Sequence, residues 1–159
     1  MQTSERTLFD QAIKYMGVEE IGGEKHNAMI LAMLQTVEDW PQADEVPWCS
    51  GAMNFWAWEA DVEMSRSLLA RSWGLVGINV RNIHLAVRSN DIVVLKQPGG
   101  PGPDDYEAPG HVGIYVTHNK KSVWLLGGNQ SDKVSIASYP RDRVIWIRRL
   151  RPIRLVPLD

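Results

Sequence analysis

The chain has 159 residues, of which 44% are hydrophobic and 23% are charged, and its net charge at pH 7 is -2. These values predict one globular domain over residues 1–159, with no general attraction to nucleic acid or to anionic membranes. No segment approaches the roughly 20 apolar residues of a membrane span, and the single cysteine excludes an intrachain disulfide and a cysteine-rich zinc site.

The N-terminal third of the chain predicts two helices. Thr3 or Ser4 can cap the first, which ends at Gly17. The second is predicted from about residue 24 to residue 35, and we expect His26 near its start to face solvent or to make a local hydrogen bond. Residues 1–6 lack the basic start and apolar run of a signal peptide, so we expect synthesis in the cytoplasm.

An acidic segment, residues 38–45, comes before the cysteine and carries four carboxylates. Calcium takes six to eight oxygen ligands, so this segment is a candidate calcium site. Its spacing does not match an EF-hand loop, however, and acidic runs are common on protein surfaces. We therefore predict a solvated loop and no metal.

Residues 46–60 predict a buried helix that begins with the cysteine. Bulky apolar residues alternate there with small ones, and Pro47 stands where a helix tolerates proline, at its entry. Cys49 then lies in the first turn, where the helix dipole favours the thiolate. Taken alone, this segment is also compatible with a Cys49 that is a small buried packing residue and has no catalytic role.

The C-terminal half has the pattern of strands. A short helix or turn is expected within residues 65–77, and residues 79–89 are ambiguous between strand and irregular chain. The prolines and glycines of residues 97–110 predict a loop. The predicted strands are residues 92–95, 111–118, 122–127, 133–138 and 143–150. Helices followed by these strands predict an α+β fold, with N-terminal helices packed on an antiparallel sheet of about five strands.

Strand alternation places His111 and Gly113 on one face of their strand. The glycine suggests that another backbone approaches this face, and the start of the cysteine helix is the candidate. This arrangement would bring Cys49 against the imidazole, as a nucleophile and its base require. His118 falls on the other face, and His84 is expected to be a structural histidine.

A base imidazole also needs a hydrogen-bond partner that fixes its tautomer and orientation. The sequence Gly127-Gly128-Asn129-Gln130 offers two amides at the end of the next strand. We choose Asn129, because a Cys-His-Asn set is one of the recurring triads. Gln130 remains the alternative orienting residue. If the segment has no catalytic role, its four residues simply form a hairpin turn.

Five blocks of the sequence, taken in order, resemble the CHAP-type cell-wall hydrolases of bacteria and phages, which belong to the papain-like peptidase fold. The resemblance extends from about Gly17 to Leu150. The blocks are Pro47-Trp48-Cys49-Ser50, Ala70-Arg71-Ser72-Trp73, Asn90-Asp91-Ile92-Val93-Val94, Gly110-His111-Val112-Gly113 and Leu126-Gly127-Gly128-Asn129-Gln130. The chain departs from the commoner pattern at Asn129, where many relatives have a carboxylate, and at Asn90, where a glycine is usual.

The resemblance implies hydrolysis of an amide bond in the peptide stems of peptidoglycan, at the sugar–peptide junction or within the peptide, without a cofactor. The resemblance implies that Cys49 is the nucleophile and that His111 acts first as the general base and then as the general acid. It also implies that Asn129 orients the imidazole. Three further residues are expected to contact the substrate: Trp48, Trp73 and Gln130. The loop of residues 97–110 is expected to line the cleft with them, or else to have no substrate role.

The same resemblance implies a phage endolysin, or an antibacterial effector with a cognate immunity protein, that acts on the cell wall after release or injection. Two other functions stay open: a non-catalytic module that holds glycan or peptide through tryptophans, and a cysteine hydrolase of protein isopeptides. The arginine-rich segment 148–155 either grips anionic envelope polymers or is a solvated edge strand.

Overall fold

Three α-helices come first in the chain and a six-stranded antiparallel sheet follows. They are described from a computed structural model that covers residues 6–23, 25–44 and 46–153. The helices are α1 (Leu8–Ala12), α2 (Ala28–Gln35) and α3 (Cys49–Glu59). The strands are β1 (Ile78–Asn79), β2 (Asp91–Lys96), β3 (Gly110–His118), β4 (Ser122–Gln130), β5 (Lys133–Pro140) and β6 (Val144–Arg149). The α+β class is confirmed.

Short side chains cap the first two helices. The Thr7 side chain accepts from the backbone N–H of Asp10, and the Asp10 carboxylate accepts in return from the N–H of Thr7, which makes a capping box. The predicted caps Thr3 and Ser4 lie outside the described residues. The second helix begins at Ala28, later than predicted, because the Asn27 side chain caps it by accepting from the N–H of Met29.

The sheet has the strand order β1-β6-β2-β3-β4-β5. Strands β2 to β5 form the predicted meander, and β6 crosses back to pair with β2. The turn between β3 and β4 is closed by Asn119, whose side-chain oxygen accepts from the N–H groups of Lys121 and Ser122. The sequence predicted about five strands; the sixth is β1, which pairs with β6 at the edge of the sheet.

Helix α3 is the centre of the larger hydrophobic cluster. It packs on the face of the sheet that carries Val112, Ile114 and Leu126, and α1 and α2 pack against it. Gly51 allows α2 to come close, since an added Cβ would lie 3.3 Å from the Cα of Leu34. A smaller cluster covers the other face of the sheet, where Tyr115 and Leu125 are buried. The predicted burial of the cysteine helix is confirmed.

Three arginines of the segment 148–155, Arg148, Arg149 and Arg151, are bound within the protein. Arg149 forms an ion pair with the buried Asp91 at 2.7 Å, and Arg151 pairs with Glu63 at 2.8 Å. Arg148 donates to the carbonyls of Val76 and Gly77. Strand β6 is not the edge strand that was expected, because β1 covers its outer side. Residues 154 and 155 of this segment lie outside the described residues.

Within the described ranges, the helices are all too short or too polar to pass through a bilayer.

Candidate active site

Cys49 is the first residue of α3, as the position of Pro47 predicted. Trp48 is the N-cap residue, and its side chain makes no capping hydrogen bond. The N–H of Cys49 therefore belongs to the first turn, whose donors have no partner within the helix. The residue is 7% exposed, so its sulfur lies at the edge of the core with limited access from solvent.

His111, near the start of β3, contacts the sulfur of Cys49. The imidazole and the backbone N–H groups of Val112 and Ser50 favour the charged form of this sulfur. The structure thus brings together two residues that are far apart in the sequence, as the sequence analysis predicted. His111 is 9% exposed, so the contact is shielded from water.

The electrostatics of this contact favour a thiolate and an imidazolium. Burial raises the pKa of the Cys49 thiol, but the hydrogen bond and charge of His111 and the two backbone donors outweigh burial, and the pKa is lowered overall. Burial lowers the pKa of His111, but the bond and charge of Cys49 and the bond to Gln130 raise it overall. A thiolate is the nucleophilic form of cysteine.

Gln130 holds the far side of the imidazole. Its Oε1 lies 2.9 Å from Nε2 of His111. Its amide nitrogen donates to the carbonyls of Ser135 at 2.7 Å and Leu125 at 3.2 Å, which fixes the orientation of the amide. Because Oε1 can only accept, Nε2 must carry a proton, and Nδ1 is the nitrogen left for the sulfur.

The choice of Asn129 as the orienting residue is not what the structure shows. Asn129 has a left-handed backbone, with φ of 57°, where the register of β4 on β5 shifts between Gly127 and Gln130. This shift breaks the strand alternation, so the amide that reaches the imidazole belongs to the next residue. Gly127 makes room for it, since a Cβ there would lie 2.7 Å from Oε1 of Gln130.

Tyr139 is a neighbour of His111 that the sequence analysis did not identify. Its hydroxyl lies 3.3 Å from Nε2 of His111, and the two ring centroids are 5.2 Å apart. Burial raises the pKa of Tyr139 to about 12; the Arg143 guanidinium opposes this rise and the charge of Cys49 adds to it. The sequence gives no signal for this contact, because an aromatic residue in a strand is ordinarily a packing residue.

The three residues predicted to contact substrate are buried, and their polar groups bond to other residues of the protein. Trp48 and Trp73 are fully buried. Their indole N–H groups are used internally, that of Trp48 by Glu20 at 2.8 Å and that of Trp73 by Ser50 at 2.9 Å. Gln130 is 3% exposed and holds His111. The prediction that they line the cleft was wrong, because tryptophan fills a core as readily as it lines a binding site.

Arg71 is a buried arginine that organises the loop before His111. It is fully buried, and its guanidinium donates to four carbonyls of the segment 101–109. These are the carbonyls of Pro101, Gly102, Asp105 and Pro109. Tyr106 of the same loop stacks on Trp146 with centroids 5.1 Å apart. The predicted loop is therefore ordered by a specific network, and it leads directly into β3.

The other histidines do not contact Cys49. His118 bonds to the Tyr115 hydroxyl at 2.6 Å and to His84 at 3.1 Å, so both imidazoles have partners outside the site. Gly113 does not face α3 as predicted, because an added Cβ would lie 2.8 Å from the Cβ of Leu125 on β4. The glycine that admits α3 is Gly128, where a Cβ would lie 2.6 Å from the Trp48 ring.

The acidic segment before Cys49 is pinned to the protein by Asp44. Its buried carboxylate accepts from the N–H groups of Ile21, Gly22 and Asn27, and it pairs with His26 at 3.2 Å, the local bond expected of that histidine. Burial raises the pKa of Asp44, but these donors outweigh burial and hold the pKa at about 2. Among the described residues, no group of three or more His, Cys, Asp or Glu side chains is placed to bind a metal.

Comparisons with known proteins relate the chain to one solved fold. No family model matches the sequence, and no curated protein matches it. The structure of NlpC1 from Trichomonas vaginalis aligns with a TM-score of 0.51 at 18% identity, over 89% of this chain and 42% of that chain. The chain thus spans less than half of that protein. At this identity the likeness concerns the fold alone, and it fits the papain-like fold that the sequence resemblance implied.

Proposed function

We propose that the protein is a cysteine peptidase or amidase that hydrolyses an amide bond in the peptide stems of peptidoglycan. The observation that carries the proposal is the contact of Cys49, at the start of α3, with His111, whose far nitrogen is held by Gln130 at 2.9 Å. A thiolate at a helix start, paired with an oriented imidazole, is what nucleophilic attack on an amide requires.

In the proposed reaction, each step uses a residue of this site. The Cys49 thiolate attacks the carbonyl carbon, and the N–H of Cys49 stabilises the oxyanion. His111 then gives the Nδ1 proton to the leaving amine, the C–N bond breaks and a thioester remains. Water, deprotonated by the neutral His111, attacks the thioester, releases the carboxylic acid and restores the ion pair. Gln130 keeps the Nε2–H tautomer throughout, so the proton moves only at Nδ1.

Peptidoglycan is the substrate that the sequence blocks of the CHAP type favour, and the NlpC1-like fold is compatible with such a peptidase. The bond is either the N-acetylmuramoyl–L-alanine amide or one within the peptide. By the same resemblance, the protein acts on the cell wall as a phage endolysin or as an antibacterial effector. An effector would have an immunity protein as its partner.

Incubation with purified peptidoglycan tests this proposal. We expect new amino groups and soluble fragments from the wild type, with mass spectrometry of the fragments identifying the bond. Cys49→Ala should abolish release while keeping the circular dichroism spectrum of the wild type. Full lytic effect of Cys49→Ala would indicate a binding module, and release from ubiquitin-type isopeptides without release from peptidoglycan would indicate an isopeptidase. Either result would overturn the proposal.

A further inference from the structure

Arg143 places an unpaired positive charge beside the imidazole of His111. The residue ends the turn Arg141–Arg143 before β6 and is partly exposed. Its guanidinium carbon lies 5.3 Å from the centre of the Tyr139 ring, and that ring lies 5.2 Å from the His111 ring. The guanidinium and the imidazole thus both contact one aromatic side chain.

One side of this guanidinium is fixed, and the other is free to bind. Its Nε donates to the carbonyl of Lys96 at 2.9 Å, and Lys96 pairs with Gly110, the residue before His111. Among the described residues, the two terminal nitrogens of Arg143 have no hydrogen-bond partner, and neither Arg143 nor Lys96 forms an ion pair. Stacking on Tyr139 and the Lys96 bond hold the side chain without using its terminal fork, which suits bidentate binding of a carboxylate.

The position of Arg143 relates it to one part of the substrate. Gln130 and Tyr139 lie on the Nε2 side of His111. We infer that the sulfur lies on the Nδ1 side, because Nε2 is already bound. In the proposed reaction the leaving amine receives its proton at the imidazole, so its chain must continue past the ring and away from the sulfur. Arg143 contacts Tyr139, whose hydroxyl lies on that side of the imidazole. An extended chain advances about 3.3 Å to 3.6 Å per residue, so it reaches this place within a few residues.

We propose that Arg143 binds a carboxylate on the leaving-amine side of the scissile bond, so that the enzyme selects acidic stem peptides over their amidated forms. This inference rests on the proposed function and names the chemical class of its substrate. The charge of Arg143 also acts on His111, lowering its pKa, which agrees with their proximity. A test must therefore separate binding of a carboxylate from this general effect of charge.

The test uses a pair of muramoyl peptides chosen after mass spectrometry has identified the leaving amine. The two peptides differ only on the leaving-amine side of the scissile bond, where one carries free carboxylates and the other carries primary amides. We expect wild type to have a kcat/KM about 10- to 100-fold higher for the free acid, the range of a charge-assisted bond. Arg143→Gln should lower kcat/KM for the free acid by about this factor. It should change kcat/KM for the amidated peptide by less than about twofold. Arg143→Lys should recover part of the loss.

Arg141→Gln is the matched control. It removes the same charge two residues away, where the side chain donates to the carbonyls of Asn119 and Lys120. We expect it to leave the preference unchanged. Equal cleavage of both peptides by wild type, or an equal loss on both in Arg143→Gln, would overturn this inference and leave the proposed function standing. Failure of the wild type to release any leaving amine from peptidoglycan, before the pair is chosen, would overturn the proposed function and this inference with it.

Discussion

The side chain of Gln130 links His111 to the hairpin of β4 and β5, with 2.9 Å between Oε1 and Nε2 and 2.7 Å between its amide nitrogen and the carbonyl of Ser135. The imidazole is thus oriented by an amide that is itself held at its other end. Such two-ended support is what keeps a reacting group within the small tolerance that catalysis allows.

Gln130→Leu should therefore lower kcat by on the order of 10²-fold, because the ring loses its fixed tautomer and position. Asn129→Gly is the control: it removes the neighbouring amide, and glycine accepts the left-handed backbone at this position, where φ is 57°. We expect the control to keep most of its activity in an amine-release assay. The opposite pattern, with Asn129→Gly inactive and Gln130→Leu active, would contradict the assignment.

The pH dependence of kcat/KM should be bell-shaped, since the active form has Cys49 deprotonated and His111 protonated. The pKa of Cys49 is lowered from its ordinary 9.0, so the acid limb of the profile lies below pH 9.0. The pKa of His111 is raised from its ordinary 6.5, so the basic limb, where activity falls, lies above pH 6.5. Gln130→Leu removes a bond that raises the pKa of His111, so its basic limb should move to lower pH. An alkylation rate of Cys49 that rises only near pH 9 would contradict the ion pair.

Gly128→Ala should disturb the start of α3. A Cβ at this position would lie 2.6 Å from the Trp48 ring and 2.8 Å from the Cβ of Ala52. Trp48 is fully buried and bonded to Glu20, so it has little room to move. We expect a loss of about 2 kcal/mol in unfolding free energy by denaturant titration. Gly102→Ala is the control, because nothing lies within 4 Å of its added Cβ; equal stability of the two variants would refute the packing argument.

Arg71→Met should loosen the loop that leads to His111. The substitution keeps the apolar stem but removes the donors to four loop carbonyls, and we expect a cost on the order of 3 kcal/mol. Limited proteolysis should then cut within residues 97–109, whereas we expect the wild type to resist cleavage there. Arg148→Met removes donors to the Val76 and Gly77 carbonyls and should leave the loop uncut. Resistance of Arg71→Met to cleavage would show that other contacts order the loop.

Local sequence patterns were sufficient to predict the framework that holds the site. Pro47 and the mixture of bulky and small residues after it predicted α3 with Cys49 at its start, and apolar runs between glycine- and proline-rich turns predicted β2 to β5. These features depend on neighbours along the chain. The predicted start of the second helix was early, because the cap at Asn27 outweighs the helical pattern before it.

Features that depend on tertiary contacts could not be predicted in this way. The left-handed Asn129 changes the alternation at the end of β4, so the choice between two adjacent amides is decided by the backbone geometry. The two residues of β1 are a strand only because β6 lies beside them. Trp48 and Trp73 are of a residue type that often lines binding clefts, yet their neighbours bury them here. Arg71 carries no local sign that its partners are loop carbonyls.

The chain contains a single cysteine, and that residue begins α3 beside His111. A sulfenic acid formed at Cys49 would find no second thiol among these 159 residues, so its protection from irreversible oxidation to sulfinic acid would depend on a thiol from another molecule. Conversely, a thiol-directed reagent has one target among these 159 residues, so any labelling reports on Cys49 alone.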